Sequence, residues 1–292
     1  MTDGNSRAVI HIVIGPTASG KTAYAVDLAK KLSGVVINSD SMQVYDGLHI
    51  LTAQPSEEER SGIPHKLFSV LKPHDACSAG KWREMAEPVI REVLAEGKTP
   101  IIAGGTGLYV KALMEGLSPI PKTDPAIRER LNKKQAELGN PAIHEELKKL
   151  DPVMAARLDP NDTQRMLRAL EVLEGTGKSL AEWQKESRLA PPQEWNFEVH
   201  KILPERAVLH ERINARFLSM MKNGALEEVK NFSDKIDAGE VPADTPLLIA
   251  HGFRYLRSHL KGKRSLEEAI DLSQTETRQY AKRQTTWIRH QL

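Results

Sequence analysis

One eight-residue stretch constrains this chain more than any other. Ala8 to Ile14 reads as a buried strand, Gly15-Pro16-Thr17-Ala18-Ser19-Gly20-Lys21-Thr22 follows it, and Ala23 to Leu32 reads as a helix. Strand, glycine-bounded loop, Lys-Thr and helix stand in the order of a P-loop, where backbone N–H groups and the helix dipole converge on anionic oxygens. Lys21 adds a point charge and Thr22 a hydroxyl suited to Mg2+. The expected fold is therefore α/β, a P-loop NTPase-like parallel sheet flanked by helices. The loop specifies phosphate but not its carrier, since most such loops hold ATP or GTP and a minority hold another diphosphate.

Further strands supply partners for the loop. Val35 to Asn38 reads as a strand that runs straight into Ser39-Asp40-Ser41-Met42-Gln43-Val44-Tyr45, and in open α/β sheets ligands sit beyond the carboxyl ends of the strands. Asp40 serves there equally well as a turn cap and as a chemical group. His65 to Val70 reads as a third strand, and Ser78 to Gly97 as a helix burying Trp82, Met85, Val89 and Val93, with Pro88 marking a kink or a late start. Thr99 to Ala103 is another strand, ending in Gly104-Gly105-Thr106-Gly107-Leu108-Tyr109. A common nucleotide hydrolase places an acidic residue at this point to organise metal and water. Gly-Gly-Thr instead allows close backbone approach and supplies one hydroxyl.

From Pro119 the pattern changes to helices, and we divide the chain into a first core segment, residues 1–124, an all-helical insertion, 125–190, and a segment completing the core and adding a helical C-terminal region, 191–292. In the insertion Asp162 is placed to cap a helix from Thr163 to Glu174 with Met166, Leu170 and Leu173 on its apolar face. Gln164, Arg165 and Arg168 face the other way, as either a solvated surface or an RNA contact, and Arg128 is equally ambiguous. After a strand from Asn196 to Leu203, a helix from Glu205 to Asn223 carries one misplaced residue. Arg216 falls within the stripe of Leu209, Ile213, Phe217 and Met220, and a buried guanidinium needs an anion, either a core carboxylate or a ligand phosphate. Helices are expected at Glu227 to Ile236, Leu247 to Leu260 and Ser265 to Ile288.

Composition enters where it limits partners. The 292 residues are 40% hydrophobic and 27% charged with no apolar run long enough for a membrane span, which fits a soluble globular protein. Met1 to Arg7 is polar and lacks the apolar core of a secretory leader, so a cytoplasmic location is expected. The single cysteine, Cys77, excludes an intrachain disulfide or a cysteine-rich zinc site. Net charge is only +2, so a nucleic-acid surface must come from local clustering. Such a cluster exists from Thr277 to Leu292, where Arg278, Lys282, Arg283 and Arg289 occur without an acidic residue while Tyr280 and Trp287 are placed to anchor the helix.

GPTASGKT from Gly15, DSMQVY from Asp40, GGTGLY from Gly104, NDTQRMLRALEV from Asn161 and KRQTTWIR from Lys282 occur in this order, and together they resemble the tRNA dimethylallyltransferases, or tRNA isopentenyltransferases, over nearly the whole chain. The resemblance implies transfer of a dimethylallyl group from dimethylallyl diphosphate to N6 of adenine 37, beside the anticodon, in tRNAs reading codons that begin with U. It implies Mg2+ as cofactor and a monomer that grips the anticodon stem-loop. By position, Gly15 to Thr22 would hold the diphosphate, Asp40 would be the general base, Arg216 would grip the diphosphate, and Thr106 would contact tRNA at the catalytic centre. Ser41, Met42 and Gln43 would complete the contact with the adenine. Arg128, the run Gln164, Arg165, Met166, Leu167 and Arg168, and Lys282, Arg283, Gln284 and Arg289 would contact tRNA elsewhere.

Two departures stand out. Gln54 occupies a place where the family often has lysine, and Ala250-His251-Gly252-Phe253 replaces an IGY-type motif. A small-molecule P-loop kinase would account for the cradle but not for DSMQVY, the insertion or the basic terminus. An adenylate isopentenyltransferase would run the same reaction on a free nucleotide with less use for the insertion and the cationic tail, and a non-catalytic RNA-binding protein would not need the cradle.

Overall fold

Apolar runs with little polar alternation make buried parallel strands, and three such runs build the centre of this protein. The computed structural model describes residues 7–292; the polar opening at residues 1–6, on which the expectation of no secretory leader largely rests, lies outside the described residues. The strands are β1 (Ala8–Ile14), β2 (Gly34–Asn38), β3 (His65–Lys66), β4 (Thr99–Gly104) and β5 (Trp195–Lys201). They form one sheet in the order β3-β2-β4-β1-β5, parallel throughout. Ile12 of β1 is flanked by Ile102 and Val199, so the central register is set by fully apolar neighbours.

Helices α1 (Lys21–Leu32), α2 (Glu57–Arg60), α3 (Ala79–Ala95) and α4 (Gly107–Glu115) connect the first strands. Ser78 caps α3 by accepting the Lys81 N–H, and the helix runs through an exposed Pro88, so the expected late start does not occur. Its buried face is Trp82, Ala86, Ile90 and Val93, rotated from the expected Met85 and Val89. Trp82 explains the rotation: its ring stacks on Tyr109 at 5.0 Å and its Nε1–H donates to the Asn38 carbonyl at 2.8 Å. That contact fixes the end of β2 two residues before Asp40. The expected third strand shrinks to two residues because Leu67 and Ser69 have φ of 63° and 51°, which breaks an extended ladder.

After β5 come α9 (Arg206–Lys222), α10 (Ala225–Asp237), α11 (Phe253–Leu260) and α12 (Leu266–Gln291). The single helix expected from Leu247 to Leu260 is divided into a 3-10 turn, Pro246–Ile249, and α11, because Gly252 takes a φ of 92° and donates its N–H to Glu276.

The chain divides into two compact units, residues up to Met114 together with Pro191–Leu292, and Glu115–Ala190. The second contains α5 (Pro125–Leu150), α6 (Pro152–Arg157), α7 (Thr163–Thr176) and α8 (Leu180–Trp183), with its own core around Leu131, Ile143, Leu147, Met166 and Leu170. Asp124, Asp151 and Asp162 each cap a helix start by accepting a backbone N–H. Among the described residues no helix is long and apolar enough to cross a membrane.

At the switch from β4 to the following turn, a Cβ on Gly104 would fall inside the Ser39 backbone. Gly104→Ala should therefore lower stability by about 1–3 kcal/mol through overpacking, seen as a lower denaturation midpoint at unchanged slope.

Candidate active site

The loop after β1 is shaped to leave donors free. Ala18 and Gly20 both take left-handed φ, 60° and 91°, and α1 starts without a side-chain cap, so its first N–H groups point to an external acceptor. Ser19 Oγ is buried without a hydrogen-bond partner. Lys21 Nζ rests on the Pro16 carbonyl at 3.3 Å, and Arg212 Nη1 donates to the Ser19 carbonyl at 3.3 Å.

One glutamine from the far end of the chain ties the loop to the β4 turn. Gln284 on α12 accepts the Thr17 N–H at 2.9 Å through Oε1 and donates through Nε2 to the Gly105 carbonyl at 2.9 Å. A Cβ on Gly105 would collide with that same amide, which is the close approach the glycine permits. Ala18 packs against Leu209, Ile213 and Ala281, so α9 and α12 form a wall of the loop.

Asp40 is held from several sides. Its N–H donates to Asn38 Oδ1 at 2.8 Å, and its carboxylate accepts the Met42 N–H at 3.0 Å through Oδ1. The Thr106 hydroxyl accepts the Ser41 N–H at 2.9 Å, while the Thr106 N–H donates to the Ser39 carbonyl at 3.3 Å. Thr106 thus orients the loop that carries Asp40.

Two adjoining cavities share these residues. The smaller, about 40 Å3, is lined by Thr17, Lys21, Thr22, Asp40 and Arg216 among others. The larger, about 340 Å3, also touches Thr17, Asp40 and Arg216 and continues over Met42, Ile213, Phe217, Met220 and Ile249. A small polar pocket therefore adjoins a roomier one of mixed lining, with Asp40 and Arg216 common to both and an apolar side formed by Met42, Ile213, Phe217, Met220 and Ile249. Burial pulls the Lys21 ammonium down to about 8, against the opposing pull of Asp40 and with help from Arg216. Burial likewise lowers Arg216, while Asp40 and then Glu59 favour its charge; a guanidinium remains protonated regardless. Tyr280 borders the larger cavity, and burial, then the Asp40 charge, push its phenol well above the ordinary value, so it stays neutral. Thr22 offers a hard hydroxyl oxygen beside the phosphate cradle, a donor that suits Mg2+.

The expected centre, Gly15 to Thr22 with Asp40, Ser41, Met42, Thr106 and Arg216, is brought together. Gln43 spends its amide nitrogen on the Thr52 and Ala53 carbonyls at 2.9 and 2.8 Å, which folds the following loop against the site. Three expected RNA contacts need correction. Met166 and Leu167 are buried in the core of the helical unit, and Gln284 is buried as the bridge described above, so none presents its side chain outward. Gln164 and Arg165 are exposed, Arg165 pairing with Asp162 at 2.7 Å. Arg128 and Arg168 converge on Glu171 at 3.3 and 2.8 Å, so part of their charge is already balanced. On α12, Lys282 and Arg289 are exposed and unpaired among the described residues, and Arg283 lies over the Tyr280 ring at 5.7 Å. Gln54 links the Tyr45 carbonyl to Ser69, an architectural role.

Sequence reasoning missed Tyr280 as a cavity residue and Gln284 as a bridge. The signal for Gln284 was the one that exposed Arg216: a polar side chain in a buried stripe, here with Ala281 and Ile288.

A family model described as IPP transferase matches residues 43–291, and one described as isopentenyl transferase matches residues 8–67. A tRNA dimethylallyltransferase of Paramagnetospirillum magneticum is 46% identical over 100% of this chain and 90% of its own length. One from Rhodospirillum centenum is 45% identical over 96% of this chain and 88% of its own. Among solved structures, the tRNA isopentenylpyrophosphate transferase of Bacillus halodurans is similar at TM-score 0.68 and 36% identity, covering 98% of this chain and 88% of that one. A eukaryotic dimethylallyltransferase acting on tRNA is similar at TM-score 0.82 and 29% identity, covering 96% and 70%.

Lys21 sits at about 8 in the free protein, and a bound anion favours its charged form. Affinity for inorganic diphosphate should therefore carry a Lys21 contribution that is constant below pH 8 and is lost as pH rises above it. Calorimetric titration of wild type against Lys21→Met isolates this contribution, and parallel pH profiles would contradict it. Gln284→Ala leaves the Thr17 N–H and Gly105 carbonyl without their partner and should cost about 1–3 kcal/mol for each buried group, measured by chemical denaturation.

Proposed function

The chain belongs to the IPP transferase family, and from that premise we propose that it transfers a dimethylallyl group from dimethylallyl diphosphate to N6 of adenine 37 in tRNAs reading codons that begin with U, releasing diphosphate. The observation that carries this reading is the paired cavity: a small pocket with Lys21 and Arg216 in its lining adjoins a roomier one with an apolar side, and the Asp40 carboxylate is common to both.

The chemistry follows from the charges. The N6 amine is a poor nucleophile because its lone pair is delocalised into the ring, so its attack on the prenyl carbon is helped by proton removal. Asp40, held by Asn38 and the Met42 N–H, accepts that proton as the N6–carbon bond forms. The carbon–oxygen bond breaks and its electron pair leaves with the diphosphate. Lys21, Arg216 and the open N–H groups of the loop stabilise the growing negative charge. Mg2+ held through Thr22 would neutralise further charge on the diphosphate. The apolar side formed by Met42, Ile213 and Phe217 would take the five-carbon chain.

An adenine stacked in its loop must be extruded to reach this cavity. Exposed cations would hold the RNA while it does so: Lys282, Arg283 and Arg289 on α12, and Arg165 with Gln164 in the helical unit. Arg128 and Arg168 would join by exchanging Glu171 for phosphate. Binding should weaken steeply with salt.

Asp40→Asn should abolish prenyl transfer in single-turnover assays while leaving tRNA affinity within about twofold; a near-normal rate would remove Asp40 as the base. Arg216→Gln should lower kcat by about 100- to 1,000-fold, the scale for losing one donor to a developing anion.

A further inference from the structure

His11 on β1 and Glu198 and His200 on β5 form a second cluster, none of whose members lines the cavities described above. Strand register brings them together, since His11 pairs with Glu198 and Val13 with His200, which makes the two histidines diagonal neighbours. His11 Nδ1 lies 3.0 Å from His200 Nε2 and 3.7 Å from Glu198 Oε2, and His200 Nε2 lies 3.5 Å from Glu198 Oε1. Each ring uses the same nitrogen for both contacts, while Glu198 turns Oε2 to His11 and Oε1 to His200, so two nitrogens and one carboxylate edge converge with a ligand atom of each residue within 4.8 Å of the others. A tetrahedral ion with bonds of about 2.0–2.1 Å separates its donors by roughly 3.3 Å, within the range of these separations.

A histidine–histidine hydrogen bond alone accounts for the 3.0 Å contact but not for Glu198 reaching the same two nitrogens. Tyr24 on α1 adds an independent feature. Its hydroxyl lies 3.0 Å from His200 Nδ1, the position of an outer partner that orients a metal-bound imidazole and leaves Nε2 for the ion. The side chains are 11%, 58% and 17% exposed for His11, Glu198 and His200, so the donors are largely pre-set and still reachable from solvent.

We propose that His11, Glu198 and His200 bind a Zn2+-type divalent transition-metal ion, with water completing the tetrahedron. Two imidazoles and one carboxylate suit zinc and its late first-row neighbours, whereas Mg2+ takes oxygen ligands. On binding, the His11 ring keeps its proton on Nε2 and His200 donates Nδ1–H to Tyr24. The ion then clamps the edge strand β5 to β1, the strand that runs into the phosphate loop.

The test uses the full chain, stripped with chelator and dialysed against Zn2+ alone. Wild type should retain one ion per chain and melt at a higher temperature with Zn2+ than without. Co2+ in its place should give the intense visible absorption of a tetrahedral site. His200→Ala and Glu198→Gln alter the more exposed ligands, and circular dichroism checks their fold; both should lose the retained ion and the thermal shift. Tyr24→Phe should bind at least about tenfold more weakly, the scale for losing an outer-shell partner. A wild type that retains no Zn2+, or a folded His200→Ala that binds as tightly as wild type, would overturn the proposal.

Discussion

Lys21 and Arg216 both feel the Asp40 carboxylate across a partly enclosed pocket, with Glu59 a weaker second anion for Arg216. Burial is what pulls Lys21 down to about 8; Asp40 opposes that shift and Arg216 adds a smaller push in the same direction. In the proposed reaction a diphosphate would supply further negative charge to these two buried cations. On the proposed reading the same cations would stabilise the departing diphosphate as its carbon–oxygen bond breaks, so one arrangement would serve both binding and reaction.

Maintaining that arrangement requires both ends of the chain. The loop comes from β1 and the carboxylate from the end of β2, while the second cation comes from α9 and the bridge between loop and β4 turn from α12. Parallel strands bring Gly15, Asp40 and Gly105 to one edge of the sheet. Gln284 then locks the Thr17 and Gly105 backbones to each other. The C-terminal helix is therefore part of the catalytic wall as well as the carrier of exposed cations.

Much of this is legible in the order of the residues, because it depends on local pattern. The loop, the main strands around it, the helical character of the insertion and its Asp162-capped helix follow from glycine spacing, apolar runs and one aspartate cap. Arg216 is legible because a cation inside an apolar stripe demands a partner. What escapes a reading along the chain depends on distant contacts. The face of α3 is set by Trp82 reaching the Asn38 carbonyl, and the third strand is cut short by positive φ at Leu67 and Ser69. Family motifs also blur packing with contact: Met166 and Leu167 lie inside a motif expected to touch RNA but belong to the core of the helical unit. The His11, Glu198 and His200 cluster depends on β1–β5 register and cannot be read from spacing along the chain.

The most direct test of the account is a mass analysis of nucleosides from unmodified tRNA incubated with this protein, Mg2+ and dimethylallyl diphosphate, with free AMP present as a competing acceptor. The account predicts a dimethylallyl increment on adenine 37 alone. An increment on AMP and not on tRNA would contradict the acceptor, and no increment on either from folded protein would contradict the reading of the paired cavity as a diphosphate and prenyl site.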